Sequence, residues 1–321
     1  MDPAKFGIST IPLNHTYYGP VTPESLAGKN SGKLAVVTGA SRGIGRAIAT
    51  SLANSGAHLA IIDLGSQDQS ETKAACERYN VKVQLYSCDV TDEEQVQQTF
   101  SKIQQDLGPI DILVNNAGKF MGRPMSMANF GDFWKTVETN FKSTMLCTFQ
   151  VLPMMRERKS GCIINIASRA ATVDTPLGMG YNCAKAAVVR ATSNIQLELD
   201  DDGLGEQIHT YALHPGGVMT AMGAGKSSVF RTTAHDPDIV AKYPALETQK
   251  SEILKLFKDG PELCGATCAY LASGKAKAIR GLYFDCRQDI ERVCGAGRST
   301  LEANGLYNLK VDFLQGYRNE P

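Results

Sequence analysis

Seven short apolar runs punctuate the chain: Leu34–Thr38, Leu59–Asp63, Val83–Ser87, Ile110–Val114, Cys162–Ile166, Ile208–Leu213 and Gly281–Asp285. A strand with one wet face alternates apolar and polar residues. These runs mostly do not, so they read as strands buried on both faces. Between them lie stretches suited to helices. Gly43 to Ser55 follows the first run, a polar stretch to about Tyr79 follows the second, and Thr91-Asp-Glu-Glu94 after the third has the early acids of a helix start. Strand and helix in alternation, joined by right-handed crossovers, predict an α/β fold. The expected form is a doubly wound parallel sheet of about seven strands with helices on both faces, one domain over residues 33–290.

Three segments fall outside that rhythm. Residues 1–32 are rich in Pro, Gly, Ser, Thr and Asn without a period and read as an extended N-terminal arm. Residues 219–260 are long for a loop and make a candidate substrate lid. Residues 291–321 contain several glycines and read as a surface-hugging C-terminal tail. The opening Met1-Asp-Pro-Ala-Lys-Phe6 lacks the basic and apolar regions of a secretory signal. No apolar run reaches the ~18–20 residues that span a bilayer. The expectation is a cytoplasmic protein with no membrane partner.

Charge narrows the partners further. The 33 basic residues balance the 33 acidic ones, which gives no reason to expect nucleic acid. Nine cysteines lie scattered without a CxxC pair, and the four-residue spacing of Cys264 and Cys268 suits packing on one helix face. They read as reduced thiols. His15, His58, His209, His214 and His235 do not cluster at metal-ligand spacing, so no metal is expected.

The glycines after the first run carry chemistry. In Thr38-Gly39-Ala40-Ser41-Arg42-Gly43-Ile44-Gly45, Gly39 allows a tight turn, Gly43 lets the backbone approach a pyrophosphate, and Gly45 lets helix and strand close together. The helix start would then aim free N–H groups at phosphate. A plain Gly-rich turn would show the same glycines. The strand before, the helix after and the acid ending the second strand favour a dinucleotide. That acid, Asp63, can accept hydrogen bonds from both ribose hydroxyls and repel a 2′-phosphate, which points to NAD. Arg42 in the loop would welcome that phosphate, so NADP stays open.

Tyr181-Asn-Cys-Ala-Lys185 puts a phenol and an ammonium one helical turn apart. A nearby cation favours phenolate and would bring a tyrosine toward useful acid–base range. Taken alone, this spacing is also an ordinary surface pair. Taken with the phosphate loop, Asp89-Val90, Asn115-Asn116-Ala117-Gly118, Asn140, Ser168 and Pro215-Gly216 with Val218 and Thr220, the chain resembles the short-chain dehydrogenase/reductase family in its one-domain, Rossmann-like form, over about residues 33–290.

The resemblance implies a set of roles. Tyr181 would be general acid in reduction and base in oxidation, while Lys185 lowers its pKa and binds the nicotinamide ribose. Ser168 would polarise the substrate oxygen, and Asn140 would hold a relay water. Gly39, Ser41, Arg42, Gly43, Ile44 and Gly45 would cradle the pyrophosphate. Asp89 and Val90 would meet the adenine. Asn115, Asn116, Ala117 and Gly118 would line the groove, and Pro215, Gly216, Val218 and Thr220 would hold the carboxamide end. The expected activity is NAD(P)-dependent hydride transfer between the cofactor and a carbonyl or secondary alcohol of a small, moderately hydrophobic substrate. Epimerase or multi-step chemistry on a secondary-metabolite intermediate is one alternative, and a non-catalytic nicotinamide sensor another. Lys119, Phe120, Met121, Ala170, residues 175–178, Met219 and Met222 are the expected pocket. The resemblance also implies a homodimer or homotetramer, with Met145, Phe149 and Val189 candidates for its contact face. The departures are the arm, the tail and Leu282-Tyr-Phe-Asp-Cys-Arg-Gln-Asp289, where many relatives end in an Asp-Gly-Gly type sequence.

Overall fold

The computed structural model of the chain describes residues 9–65, 67–174, 177–219, 237–244 and 257–315. Its strands are β1 (Leu34–Thr38), β2 (His58–Asp63), β3 (Val83–Ser87), β4 (Ile112–Asn115), β5 (Gly161–Ile166), β6 (Ile208–His214) and β7 (Tyr283–Asp285). They form one parallel sheet in the order β3-β2-β1-β4-β5-β6-β7, the Rossmann-like arrangement expected. The order reverses between β1 and β4. Ligands bind at such a switch point, outside the carboxyl ends of the strands.

The helices among the described residues are α1 (Pro23–Leu26), α2 (Gly43–Asn54), α3 (Ser70–Glu77), α4 (Glu93–Leu107), α5 (Phe130–Val137), α6 (Ser143–Arg158), α7 (Met179–Asp201), α8 (Pro237–Lys242), α9 (Pro261–Ala272), α10 (Ile290–Gly295) and α11 (Arg298–Ala303). Successive β1 residues explain the two layers. Ala35 and Val37 enter a core with Ile48 and Leu52 of α2 and Leu263 and Leu271 of α9. Leu34 and Val36 enter the opposite core with Phe100 of α4, Val151 and Met155 of α6 and Leu199 of α7. Cys264 and Cys268 lie buried on one face of α9, and all nine cysteines are free thiols. No described helix is long and apolar enough to cross a membrane.

Element ends moved by a residue or two. β4 starts at Ile112 rather than Ile110, because Asp111 lies before it and its carboxylate accepts from Leu34 N at 2.9 Å. β7 starts only at Tyr283, after Gly281 turns the backbone at φ +75°. The terminal segments are more structured than their composition suggested. Thr22 caps α1, and Val21 and Leu26 are buried, so the arm is not simply extended. Beyond residue 290 the chain forms α10 and α11, and Leu301 joins the core shared with α2 and α9. Most of the expected lid, including Thr220 and Met222, falls outside the described residues, as do residues 175 and 176 of the expected pocket. Val189, expected on an outer face, is buried against Ala167 and Ala212 of its own sheet region.

Candidate active site

Buried polar side chains tie the carboxyl ends of the central strands together. Asn115 of β4 donates to Asn165 Oδ1 of β5 at 2.8 Å and to Thr148 Oγ1 of α6 at 3.2 Å. Asn165 donates in turn to Thr192 Oγ1 of α7 at 2.9 Å. Asn115 is therefore a buried strap between layers rather than a wall of the groove. Asn116 faces the phosphate loop, donating through Nδ2 to the carbonyls of Thr38 at 2.9 Å and Gly39 at 3.0 Å. Thr38 Oγ1 accepts from the backbone N–H of Asn116 and Ala117. A Cβ on Gly45 would fall 2.6 Å from Asn116 Nδ2, so only glycine lets this close approach form.

The loop opens α2 with Arg42 as its first flanking residue, exposed and making no side-chain cap. By contrast, Asp92, Asn129 and Asp289 each cap a helix start with a side chain. The uncapped N–H groups around Gly43, Ile44 and Gly45 fit a pyrophosphate. Asp63 sits at the end of β2, where its carboxylate accepts from Ser41 N and Leu64 N, both at 2.9 Å. Two residues that sequence reasoning missed hold the same loop. Arg46 donates to Ser41 O at 2.7 Å, and Thr72 of α3 donates to Ala40 O at 2.9 Å. Their targets are backbone carbonyls, which no side-chain motif announces. Asp89 turns its carboxylate onto Thr91, accepting from N at 2.9 Å and Oγ1 at 2.7 Å. Val90 packs into the core with α4.

Three of the expected catalytic residues come together. Ser168 follows β5, accepts from Ala170 N at 3.1 Å and hydrogen-bonds Tyr181 through its hydroxyl. Lys185 Nζ lies 5.6 Å from the centroid of the Tyr181 ring and donates to Ile166 O at 2.6 Å. Phe120 meets Tyr181 edge-on at 5.3 Å. Burial raises the Tyr181 pKa and the Ser168 bond offsets only part of the rise, so the net shift is upward and the lowering expected from the ammonium is not seen. Burial also pushes Lys185 down to about 8.

Asn140 lies in a π-turn, Glu138–Lys142, inserted between α5 and α6. Its carboxamide donates to Lys119 O at 2.6 Å and Thr136 O at 2.8 Å, and accepts from Lys119 N at 3.3 Å. Hydroxyls of Thr136, Thr139, Ser143 and Thr144 take up carbonyls four residues back, supporting the widened turn. A Cβ on Gly118 would fall 2.9 Å from Asn140 Oδ1, so the two sites are built against each other. Pro215, Gly216 and Val218 follow β6 at the same sheet edge; Val218 pairs with Asp259.

The chain matches the short chain dehydrogenase family over residues 33–229. It belongs to the short-chain dehydrogenase/reductase family. It is 30% identical over 317 residues to a short chain dehydrogenase of Pseudocercospora fijiensis, covering 94% of this chain and 97% of that one. A 3-oxoacyl-acyl-carrier-protein reductase of Staphylococcus epidermidis is 32% identical over 252 residues, 78% of this chain and 95% of that one. An actinorhodin polyketide ketoreductase crystallised with NADPH superimposes with a TM-score of 0.68 and 28% identity, over 81% of this chain and 97% of that one. The protein is thus an oxidoreductase of the alcohol dehydrogenase/ketoreductase type, in a family that takes a nicotinamide cofactor.

In this short-chain dehydrogenase/reductase, a cleft beside Tyr181 runs between the loop after β4 and the start of α7. Met121, Met125, Phe133, Leu177 and Met179 line it, with Arg123 and Asp132 among its polar residues. Met121 and Leu177 were expected there. Lys119 instead braces Asn140 through its backbone, and Met219 is 39% exposed.

The buried ammonium has a measurable consequence. Folding moves Lys185 from its ordinary 10.5 to about 8. Between those values the unfolded chain holds a proton that the folded chain does not, so this residue's contribution to stability rises with pH across that window. Below about 8 both states are protonated and the cost of burial is paid in full. Urea unfolding of wild type and Lys185→Met should show a difference that shifts toward wild type from pH 8 to 10. A flat difference would mean that the Ile166 bond keeps the ammonium charged despite burial.

Proposed function

We propose that this enzyme transfers hydride between a nicotinamide dinucleotide, preferably NAD, and a carbonyl or secondary alcohol of a small, moderately hydrophobic substrate. The observation that carries this reading is the Ser168–Tyr181 hydrogen bond with Lys185 beneath the ring, next to a Met-lined cleft whose lining reaches Gly180. The bound nicotinamide supplies or takes the hydride. The protein's own groups place the reactants and handle the proton. Ser168 donates to the substrate oxygen, holding it against Tyr181. In reduction the Tyr181 hydroxyl gives its proton to that oxygen, and in oxidation its phenolate takes the proton back. Lys185, fixed by Ile166 O, sits where it can hold the nicotinamide ribose and stabilise the phenolate once charge develops. Asn140 shapes the backbone at Lys119 and offers a path for proton exchange.

The groove that would hold the dinucleotide runs from Gly39, Ser41, Arg42, Gly43, Ile44 and Gly45 past Asp63, Asp89 and Val90. It continues along Asn116, Ala117 and Gly118 to Tyr181, Lys185, Pro215, Gly216 and Val218, with Thr220 outside the described residues. Asp63 supports NAD: a 2′-phosphate beside a carboxylate in a partly desolvated turn meets repulsion that water would screen. Exposed Arg42 opposes it. A homodimer or homotetramer is supported by Phe149 of α6 and Leu197 of α7, 68% and 55% exposed on two long helices.

Tyr181→Phe should keep dinucleotide affinity while turnover falls ~10²–10⁴-fold, the usual cost of losing a general acid–base. Near-normal turnover would overturn the assignment. For cofactor choice, kcat/KM is compared for NAD and NADP in wild type and Asp63→Ala. Wild type should prefer NAD; the variant should lose that preference by gaining NADP activity and, because Ser41 N loses its acceptor, by losing some NAD activity. A wild-type preference for NADP would show that Arg42 dominates. Light scattering across micromolar concentrations should give a dimer or tetramer mass, and a monomer throughout would refute assembly.

A further inference from the structure

The N-terminal arm and the segment after β7 converge on the turn after β6. The arm is registered on the segment after β7: Asn14 N donates to Arg287 O at 2.8 Å, and Tyr18 Oη donates to Gln288 O at 2.6 Å while accepting from Ile290 N at 3.1 Å. Between these anchors His15 hydrogen-bonds Asp259 through Nδ1. A carboxylate accepts, so Nδ1 is the donating nitrogen. The His15 side chain is 35% exposed, whereas that of Asp259 is 1% exposed.

Asp259 faces the turn with its other oxygen. Oδ2 accepts from Gly217 N at 2.5 Å, and Asp259 N donates to Gly217 O at 2.9 Å. Gly216 has φ +83°, and a Cβ there would fall 2.8 Å from Asp259 Oδ2. The turn is therefore moulded on this carboxylate. Arg287 is committed elsewhere: it grips Asp285 at 2.6 and 2.9 Å and reaches Asp259 only at 3.8 Å. His15 hydrogen-bonds Asp259 directly, while Arg287 and Arg169 act on it as nearby charges. His15, Asp259 and Arg287 all lie outside the segment matched to the family, residues 33–229.

We propose that His15 is a positioning residue for the nicotinamide end of the groove, acting through Asp259 on the Gly216–Gly217 turn. The proposal rests on the nicotinamide reading above. Without His15 the buried carboxylate loses this direct hydrogen bond, and a buried acceptor short of partners relaxes toward water. Because Asp259 also holds Gly217 N, the turn loosens with it. The phosphate loop, at the other end of the groove, keeps its own braces.

The test compares wild type, His15→Ala and His15→Gln, the last keeping an N–H donor. Amide exchange in peptides spanning 211–219, measured without ligand, should speed up in His15→Ala and return most of the way in His15→Gln. Calorimetric titration with NADH should weaken by roughly fivefold or more in His15→Ala, at the low end of coupling between sites. Titration with ADP-ribose, which lacks the nicotinamide, should be unchanged. Unaltered amide exchange would overturn the clasp. Faster exchange with equal weakening of NADH and ADP-ribose would overturn its action on the nicotinamide end. A wild type that binds ADP-ribose but neither NADH nor NADPH would overturn the nicotinamide reading and this proposal with it, while the exchange arm would still report on the clasp itself.

Discussion

A parallel sheet covered by helices on both faces has apolar side chains above and below every central strand, and nowhere within it for a polar group to meet water. That constraint organises the molecule. β1 and β4 send alternate residues into two separate cores, so the faces are closed to ligands. Polar function is forced to the carboxyl edge, where strands end and loops begin. Ser168, Asp63, Asn116 and the Gly216 turn all stand on that edge, contributed by strands far apart in the chain. Crossing connections put the β1–β4 reversal there as well, which opens the crevice between them.

Ordering so many short loops costs conformational entropy, and buried hydrogen bonds offset it locally. The straps follow a common pattern: a side chain on one element takes the backbone of another. Asn116 holds Thr38 and Gly39, Arg46 holds Ser41, Asn140 holds Lys119, and Lys185 holds Ile166. Pre-ordered in this way, the site needs little rearrangement to receive its reactants. The same bonds explain why the lysine can be buried at all: its ammonium is desolvated but not unpartnered.

The strands were legible because double burial writes itself as unbroken apolar runs, and the phosphate loop because its glycines answer a steric demand. Tyr181 and Lys185 were legible as a pair by helical spacing, although their meaning came from the ordered motifs around them. Other features left no local trace. The seat of the arm depends on single polar residues joined across 244 and 272 positions of sequence, with no period to betray them. Asn115 belongs to the same motif as Asn116, yet its side chain points into the sheet, and a strand's facing is fixed only once its neighbours are known. Val189 went astray for a related reason. On a helix packed along much of its length, an apolar residue can face its own sheet or a second molecule, and spacing alone does not choose.

The π-turn at Glu138–Lys142 ties two of these matters together. A wide turn slips an extra residue into a continuous helix, and each residue of an α-helix advances the phase by about 100°. Everything downstream in α6 is rotated accordingly: Cys147, Val151 and Met155 point to the core while Phe149 looks outward. The insertion that swings Asn140 toward Lys119 therefore also decides which face of α6 a neighbouring molecule would see. Geometry at the reaction centre and the outer shape of the protein are, along this helix, a single phase angle.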